Sequence, residues 1–183
     1  MKMNLPNKLT VIRVIAVPFF VAAYMLGALE AWWFFVALGL FIAASFTDML
    51  DGQIARKHNL VTNFGKIMDP LADKILVYSA FCLMVTDGTV PGWMFIVILA
   101  REFAVSGMRT VAASEGIVVA AGNSGKLKTV LQMIAVPILI LAHGLPAYSI
   151  IMTVGQAVLW ASLIMTVISG IEYIMRNRQV FSQ

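Results

Sequence analysis

Charge is what this sequence has least of. Its 183 residues include thirteen Lys or Arg and nine Asp or Glu, 12% of the chain, against a hydrophobic share of 61%. Ordinary globular domains carry about a quarter charged residues, so too little polar surface is present to cover a water-soluble fold of this length. A disordered chain and a soluble enzyme are both excluded. The single cysteine, Cys82, rules out an intrachain disulfide and any disulfide-stapled scaffold. It lies in an apolar run and reads as a small hydrophobe on a helix. Whole stretches lack charge altogether: Val14–Thr47 holds only Glu30, and Thr129–Ile171 holds no Asp, Glu, Lys or Arg. With a mean hydropathy of +0.90, the chain reads as a membrane protein.

One helical span takes about 20 apolar residues, so this length holds at most roughly seven or eight. Val14–Thr47 is too long for one crossing and breaks at Gly27-Ala28-Leu29-Glu30. The pattern predicts a first helix from about Leu9 to Leu26 and a second from about Ala31 to Arg56. Residues 57–66 are polar and fall outside the membrane, and a third helix carries Asp69 to Thr86, with Pro70 tolerable in its first turns. Asp87–Gly92 reads as a turn, a fourth helix covers about Trp93–Ala113, and residues 114–125 form the next connection. His143-Gly144-Leu145-Pro146 divides the last charge-free run into a fifth and a sixth helix. The expectation is an all-α, polytopic membrane protein with six transmembrane helices and one membrane domain over residues 1–183. Lys2, Lys8 and Arg13 ahead of Val14–Ala28 also fit a signal peptide, but the long apolar runs that follow favour a first transmembrane helix.

Six spans place both termini on one side, and the basic residues choose it. Lys2, Lys8, Arg13, Arg56, Lys57, Lys66, Lys74, Arg109, Lys126, Lys128, Arg176 and Arg178 fall at or near one face. The opposite turns hold Glu30, Asp87 and His143. By the positive-inside rule the basic face is cytoplasmic, and Trp32, Trp33 and Trp93 lie at the other boundary. The net charge of +4 therefore orients the chain and implies no nucleic-acid partner. Arg101 alone falls deep within a span.

The acids are concentrated. Asp48, Asp51, Asp69 and Asp73 lie at the cytoplasmic ends of helices two and three. At about 100° per residue, Asp48, Asp51, Gly52 and Ala55 share one arc of helix two, while Gly65, Asp69 and Asp73 form an i, i+4 stripe on helix three. If the stripes face each other, four carboxylates converge near a low-dielectric region, where unpaired they would repel and raise their own pKa values. Hard divalent cations, Mg²⁺ or Mn²⁺, relieve this, and four carboxylates can hold two of them in the arrangement that suits displacement at phosphorus. Gly52, Ala55 and Gly65 leave room for phosphates, and Arg56 adds a cation. The plainer alternative pairs the acids with Arg56, Lys57, Lys66 and Lys74 as interfacial charges. Two helical registers with glycines between them favour a functional site.

Asp48-x2-Asp51-Gly52-x2-Ala55-Arg56, eight residues, then Gly65-x3-Asp69-x3-Asp73 resembles the complete signature of the CDP-alcohol phosphotransferases. The resemblance implies a membrane-embedded dinuclear Mg²⁺ or Mn²⁺ site at which an alcohol displaces CMP from a CDP-linked lipid. It assigns Asp48, Asp51, Asp69 and Asp73 as metal ligands, and Asp73 also as the general base. It places Gly52, Ala55, Arg56 and Gly65 against the CDP moiety, with Thr62 beside them, and it implies a homodimer.

The motif leaves the acceptor open. Glu102, Ser106 and Arg109 share a face of helix four, and Lys126 and Lys128 begin helix five at the same level. Cations converging there suggest an acceptor bearing its own phosphate, held by Arg109, Lys126 and Lys128. Arg101 and Glu102 read as an interhelical ionic lock, and as adjacent residues they do not face each other on the helix. Leu5-Pro6-Asn7-Lys8-Leu9-Thr10-x2-Arg13, Ala100-Arg101-Glu102 and Gly125-Lys126-x-Lys128-Thr129 resemble the bacterial branch of the family that joins CDP-diacylglycerol to sn-glycerol 3-phosphate. That branch implies a multi-pass protein of the bacterial cell membrane, among membrane lipids, with its active site at the cytoplasmic face. Asn7, Thr10 and Arg13 would lie beside the nucleotide or at the cytoplasmic mouth. Another alcohol acceptor (inositol phosphate or serine), a divalent-cation transporter and a prenyltransferase are the rival readings. Transport would need polar groups across the whole membrane depth, which helices five and six lack, and the chain is short for a prenyltransferase.

Overall fold

A computed structural model describes the backbone of residues 5–57, 63–114, 116 and 122–177, and the side chains of 7–47, 68, 71–72, 74–114, 116 and 122–177. Six helices follow in order: α1 Leu5–Leu26, α2 Trp32–Lys57, α3 Asn63–Thr86, α4 Gly92–Ser114, α5 Asn123–Gly144 and α6 Ser149–Arg176. The breaks expected near Gly27–Glu30, Asp87–Gly92 and His143–Pro146 are present, and every regular element among the described residues is an α-helix. Three starts differ from expectation. Helix α1 begins at Leu5 rather than near Leu9, and α5 begins at Asn123 rather than near Lys126. Helix α3 begins at Asn63, so its opening turns come from the stretch expected to be loop, and Pro70 lies further inside the helix than expected. Polar first turns carry no hydropathy signal, and helical hydrogen bonding outruns the apolar segment there.

Helices α1, α5 and α6 are long and apolar enough to cross a bilayer, and Trp32–Thr47 of α2 and Lys74–Thr86 of α3 are shorter apolar stretches. The most extensive packing joins α5 to α6, then α1 to α2 and α3, while α4 rests chiefly on α6. Phe20, Phe41, Phe81, Met84, Leu139, Ile140 and Leu159 fill the interior. Small residues let the backbones close. A Cβ at Gly155 would stand 2.7 Å from Leu139 Cδ2, so glycine sets the α5–α6 separation. Ser162, Thr166 and Ser169 are buried on α6 but donate to carbonyls of their own helix, and so need no partner across the interface.

Two polar ends flank this apolar middle. At one, Tyr24 donates to Asp87 at 2.6 Å, Thr89 Oγ1 pairs with His143 at 2.9 Å, and Gln156 donates to the Thr89 carbonyl at 2.6 Å. Lys74, Glu102 and Lys128 gather at the other. Cys82 is exposed on α3.

Candidate active site

Helix α1 brings three polar residues inward at helical spacing. Asn7 and Thr10 are buried, and Arg13 is 1% exposed, the largest of the fully buried side chains. Its Nε donates to the Ala44 carbonyl on α2 at 3.2 Å, and Thr47 Oγ1 donates to the same carbonyl at 2.7 Å. Ala44 precedes Asp48 by one helical turn. The buried guanidinium is thereby tied to α2 just before the aspartate-bearing segment begins.

That segment lies on helical backbone: Asp48, Asp51, Gly52, Ala55 and Arg56 on α2, Gly65, Asp69 and Asp73 on α3. Their side chains, and Thr62 altogether, lie outside the described residues. Among the described residues no three His, Cys, Asp or Glu gather as a metal cluster. Carboxylates at i, i+3 on α2 and i, i+4 on α3 offer only oxygen donors, the type that hard divalent cations take.

The other cluster is fully described. Glu102 of α4 accepts from Lys74 of α3 through Oε1 at 3.1 Å and from Lys128 of α5 through Oε2, so the expected interhelical lock exists. Lys74 also donates to Ser106 at 3.0 Å, which puts Glu102 and Ser106 on one face of α4 as expected. Arg101 departs from the reading. Its Nη1 meets Glu102 Oε2 at 3.2 Å although the two residues are adjacent. Glycines open the route: a Cβ on Gly170 would stand 3.1 Å from Arg101 Cγ, and one on Gly125 would stand 3.4 Å from Nη2. The arginine head lies beside the first turn of α5 rather than at mid-helix.

A cavity of about 320 Å³ is lined by Arg101, Glu102, Arg109, Lys126, Lys128 and Thr129, among others. The three residues expected to hold a phosphate therefore share one wall system. Lys128 is 4% exposed, whereas Arg109 and Lys126 are exposed. A second cavity of about 150 Å³ shares Arg101, Arg109 and Gly125 with the first, and adds Ser124, Tyr173 and Arg176. Arg109 lies over the Tyr173 ring at 5.6 Å, and Glu172 takes Ser124 and Arg176. Arg101 Nε and the Tyr173 hydroxyl are buried with no hydrogen-bond partner among the described residues. A buried polar group left unmade costs roughly 1–3 kcal/mol, which a polar ligand would recover. Composition gave no sign of Tyr173, although the Glu172–Arg176 pair at i, i+4 marks the polar end of α6. An apolar groove of about 210 Å³ between α2 and α5, lined by Phe41, Ile42, Ser45, Phe46, Met133 and Pro137, opens one turn before Asp48.

The chain belongs to the CDP-alcohol phosphatidyltransferase family, whose model matches residues 3–168. It is 46% identical, over 95% of both chains, to a CDP-diacylglycerol–glycerol-3-phosphate 3-phosphatidyltransferase of Bacillus subtilis. It is 39% identical, over 97% of both chains, to the enzyme of the same name from Rickettsia bellii. A cardiolipin synthase (CMP-forming) of Oryza sativa is 38% identical over 95% of this chain and 57% of its own length.

Proposed function

We propose that this chain transfers the phosphatidyl group of CDP-diacylglycerol to sn-glycerol 3-phosphate, giving phosphatidylglycerophosphate and CMP. The observation that carries this acceptor is the cavity in which Arg109, Lys126 and Lys128 meet. Cations drawn from two helices suit an acceptor with a phosphate of its own, and a neutral alcohol would leave them unused. The names of the Bacillus and Rickettsia relatives agree with it.

In this reading Arg109, Lys126 and Lys128 hold the acceptor phosphate and present its hydroxyl to the lipid-side phosphorus. Asp73 takes the hydroxyl proton as the new P–O bond forms and the bond to CMP breaks. Gly52, Ala55 and Gly65 leave backbone room for the CDP phosphates, Arg56 adds a cation, and Thr62, Asn7 and Thr10 border the nucleotide. Asp48, Asp51, Asp69 and Asp73 would hold two divalent cations, Mg²⁺ or Mn²⁺, which when bound offset charge on the pyrophosphate. The groove beside Ser45 suits an acyl chain of the lipid.

The chain is one membrane domain over residues 1–183, with six crossings and both termini cytoplasmic. It lies in the bacterial cell membrane, its chemistry at the cytoplasmic face, and pairs as a homodimer. The charge-free runs and the one-sided basic residues support that orientation. The test is purified protein given CDP-diacylglycerol and radiolabelled acceptors. Metal-dependent release of CMP with label entering the lipid from glycerol 3-phosphate is expected. Preference for inositol phosphate, serine or a phosphatidyl alcohol would overturn the acceptor, and absence of CMP release would overturn the chemistry.

A further inference from the structure

Glu102 is the one acid among the described residues lining a cavity that also has Arg101, Arg109, Lys126 and Lys128 in its wall. Its carboxylate is 14% exposed along the side chain and receives three cations: Lys74 from α3, Arg101 from α4 and Lys128 from α5. An acid at the mouth of a phosphate site is unfavourable for phosphate unless it does something else.

We infer that Glu102 is a positioning residue for the acceptor: it holds the Lys128 ammonium in the cavity wall, where that ammonium can meet the acceptor phosphate. The inference rests on the reading of this site as the acceptor site. Lys128 has a long flexible stem near one end of α5, and an ammonium there would otherwise turn toward water. Arg101, Lys74 and Lys128 meet within hydrogen-bond reach of a single carboxylate, so their mutual repulsion would spread them without it. Lysine keeps two further N–H donors after giving one to Glu102, and these remain for phosphate.

Two effects of neutralising Glu102 oppose each other. Loss of its charge removes a repulsion on the incoming phosphate, but three cations already offset that charge. Release of Lys128 removes a direct charge-assisted contact, and this term is the larger. The net expectation is weaker acceptor binding.

The experiment compares the full-length wild type with Glu102→Gln, Glu102→Asp, Lys128→Ala and the Glu102→Gln/Lys128→Ala double variant, in detergent with CDP-diacylglycerol. Glu102→Gln should raise the KM for glycerol 3-phosphate by at least about tenfold, the loss of one charge-assisted contact. The KM for CDP-diacylglycerol should stay within about twofold, Glu102→Asp should recover part of the loss, and Glu102→Gln should add little in the Lys128→Ala background, as coupled residues do. If the Gln variant does not fold, Glu102→Asp should still raise the acceptor KM, by less than about tenfold, leave the CDP-diacylglycerol KM unmoved, and add little in the Lys128→Ala background. An unchanged or lowered acceptor KM, an equal rise for both substrates, or full additivity in the double variant overturns the inference. A wild type that does not use glycerol 3-phosphate overturns the acceptor reading instead.

Discussion

Lys128 of α5 donates a hydrogen bond to Glu102 of α4 and is 4% exposed, the most buried of the lysines described. It lines a cavity together with Arg109 and Lys126, and an ammonium has two further donors beyond the one given to Glu102. Lys128→Ala is therefore expected to raise the acceptor KM by roughly 10- to 100-fold, as loss of a hydrogen bond to a charged group implies. The KM for CDP-diacylglycerol should move by less than twofold. Steady-state kinetics with each substrate varied in turn reads both numbers. An unchanged acceptor KM would make Lys128 a charge that only orients the chain.

Much of the helical framework around this site is legible in the sequence. The charge-free stretch Thr129–Ile171 announced the apolar pair α5 and α6, and His143–Pro146 marked the turn between them. Periodicity alone put Glu102 and Ser106 on one face, and both meet Lys74. What periodicity could not supply was the path of Arg101. Its head reaches Glu102 because Gly125 and Gly170, on two other helices, leave space for its stem. Such a relation depends on tertiary packing and has no local signature. The first turn of α3 is silent for a different reason: Asn63, Gly65 and Lys66 surround a single apolar residue, Phe64, so no hydropathy change marks the helix start.

Asp73→Asn should abolish turnover while leaving CDP-lipid binding largely intact. A general base contributes typically about 10²- to 10⁴-fold, and an amide cannot take the proton. The loss should exceed that range if Asp73 also ligates metal. Single-turnover CMP release, set beside equilibrium binding of CDP-diacylglycerol to the same variant, separates chemistry from binding. Near-normal turnover would remove Asp73 from the role.

Chelation gives an independent check on the aspartate motif. With EDTA in excess, CMP release should fall to background, and Mg²⁺ or Mn²⁺ should restore it where Na⁺ and K⁺ do not. Hard oxygen donors favour those ions, and four carboxylates gathered from α2 and α3 would repel one another without them. Asp69→Asn should shift the Mg²⁺ concentration for half-maximal activity upward by about tenfold or more, as loss of one charged ligand implies. Full activity after exhaustive chelation would show that the acids serve another purpose.

The opposite end of the bundle offers a control on stability. Tyr24 is 5% exposed and donates to Asp87 at 2.6 Å, while Asp87 accepts the Thr89 amide at 2.9 Å and approaches His143 at 3.6 Å. The Tyr24 ring packs edge-on to Phe34 at 5.2 Å, and His143 stacks on Phe34 at 5.1 Å. Tyr24→Phe keeps the rings and removes one hydrogen bond. Asp87 retains the Thr89 amide and is partly open to solvent, so no buried charge is stranded. The expected cost is about 1–2 kcal/mol, a fall in Tm of roughly 2–8 °C at this chain length. Tyr24 stands eleven residues beyond Arg13 on α1, about 16 Å at the helical rise. The acceptor and CDP-lipid KM values and kcat should therefore stay within twofold below the transition. Thermal unfolding in detergent, followed beside activity, checks both. A variant that keeps its Tm but loses activity would mean that the Tyr24–Asp87 contact is coupled to chemistry at the far end of the helices.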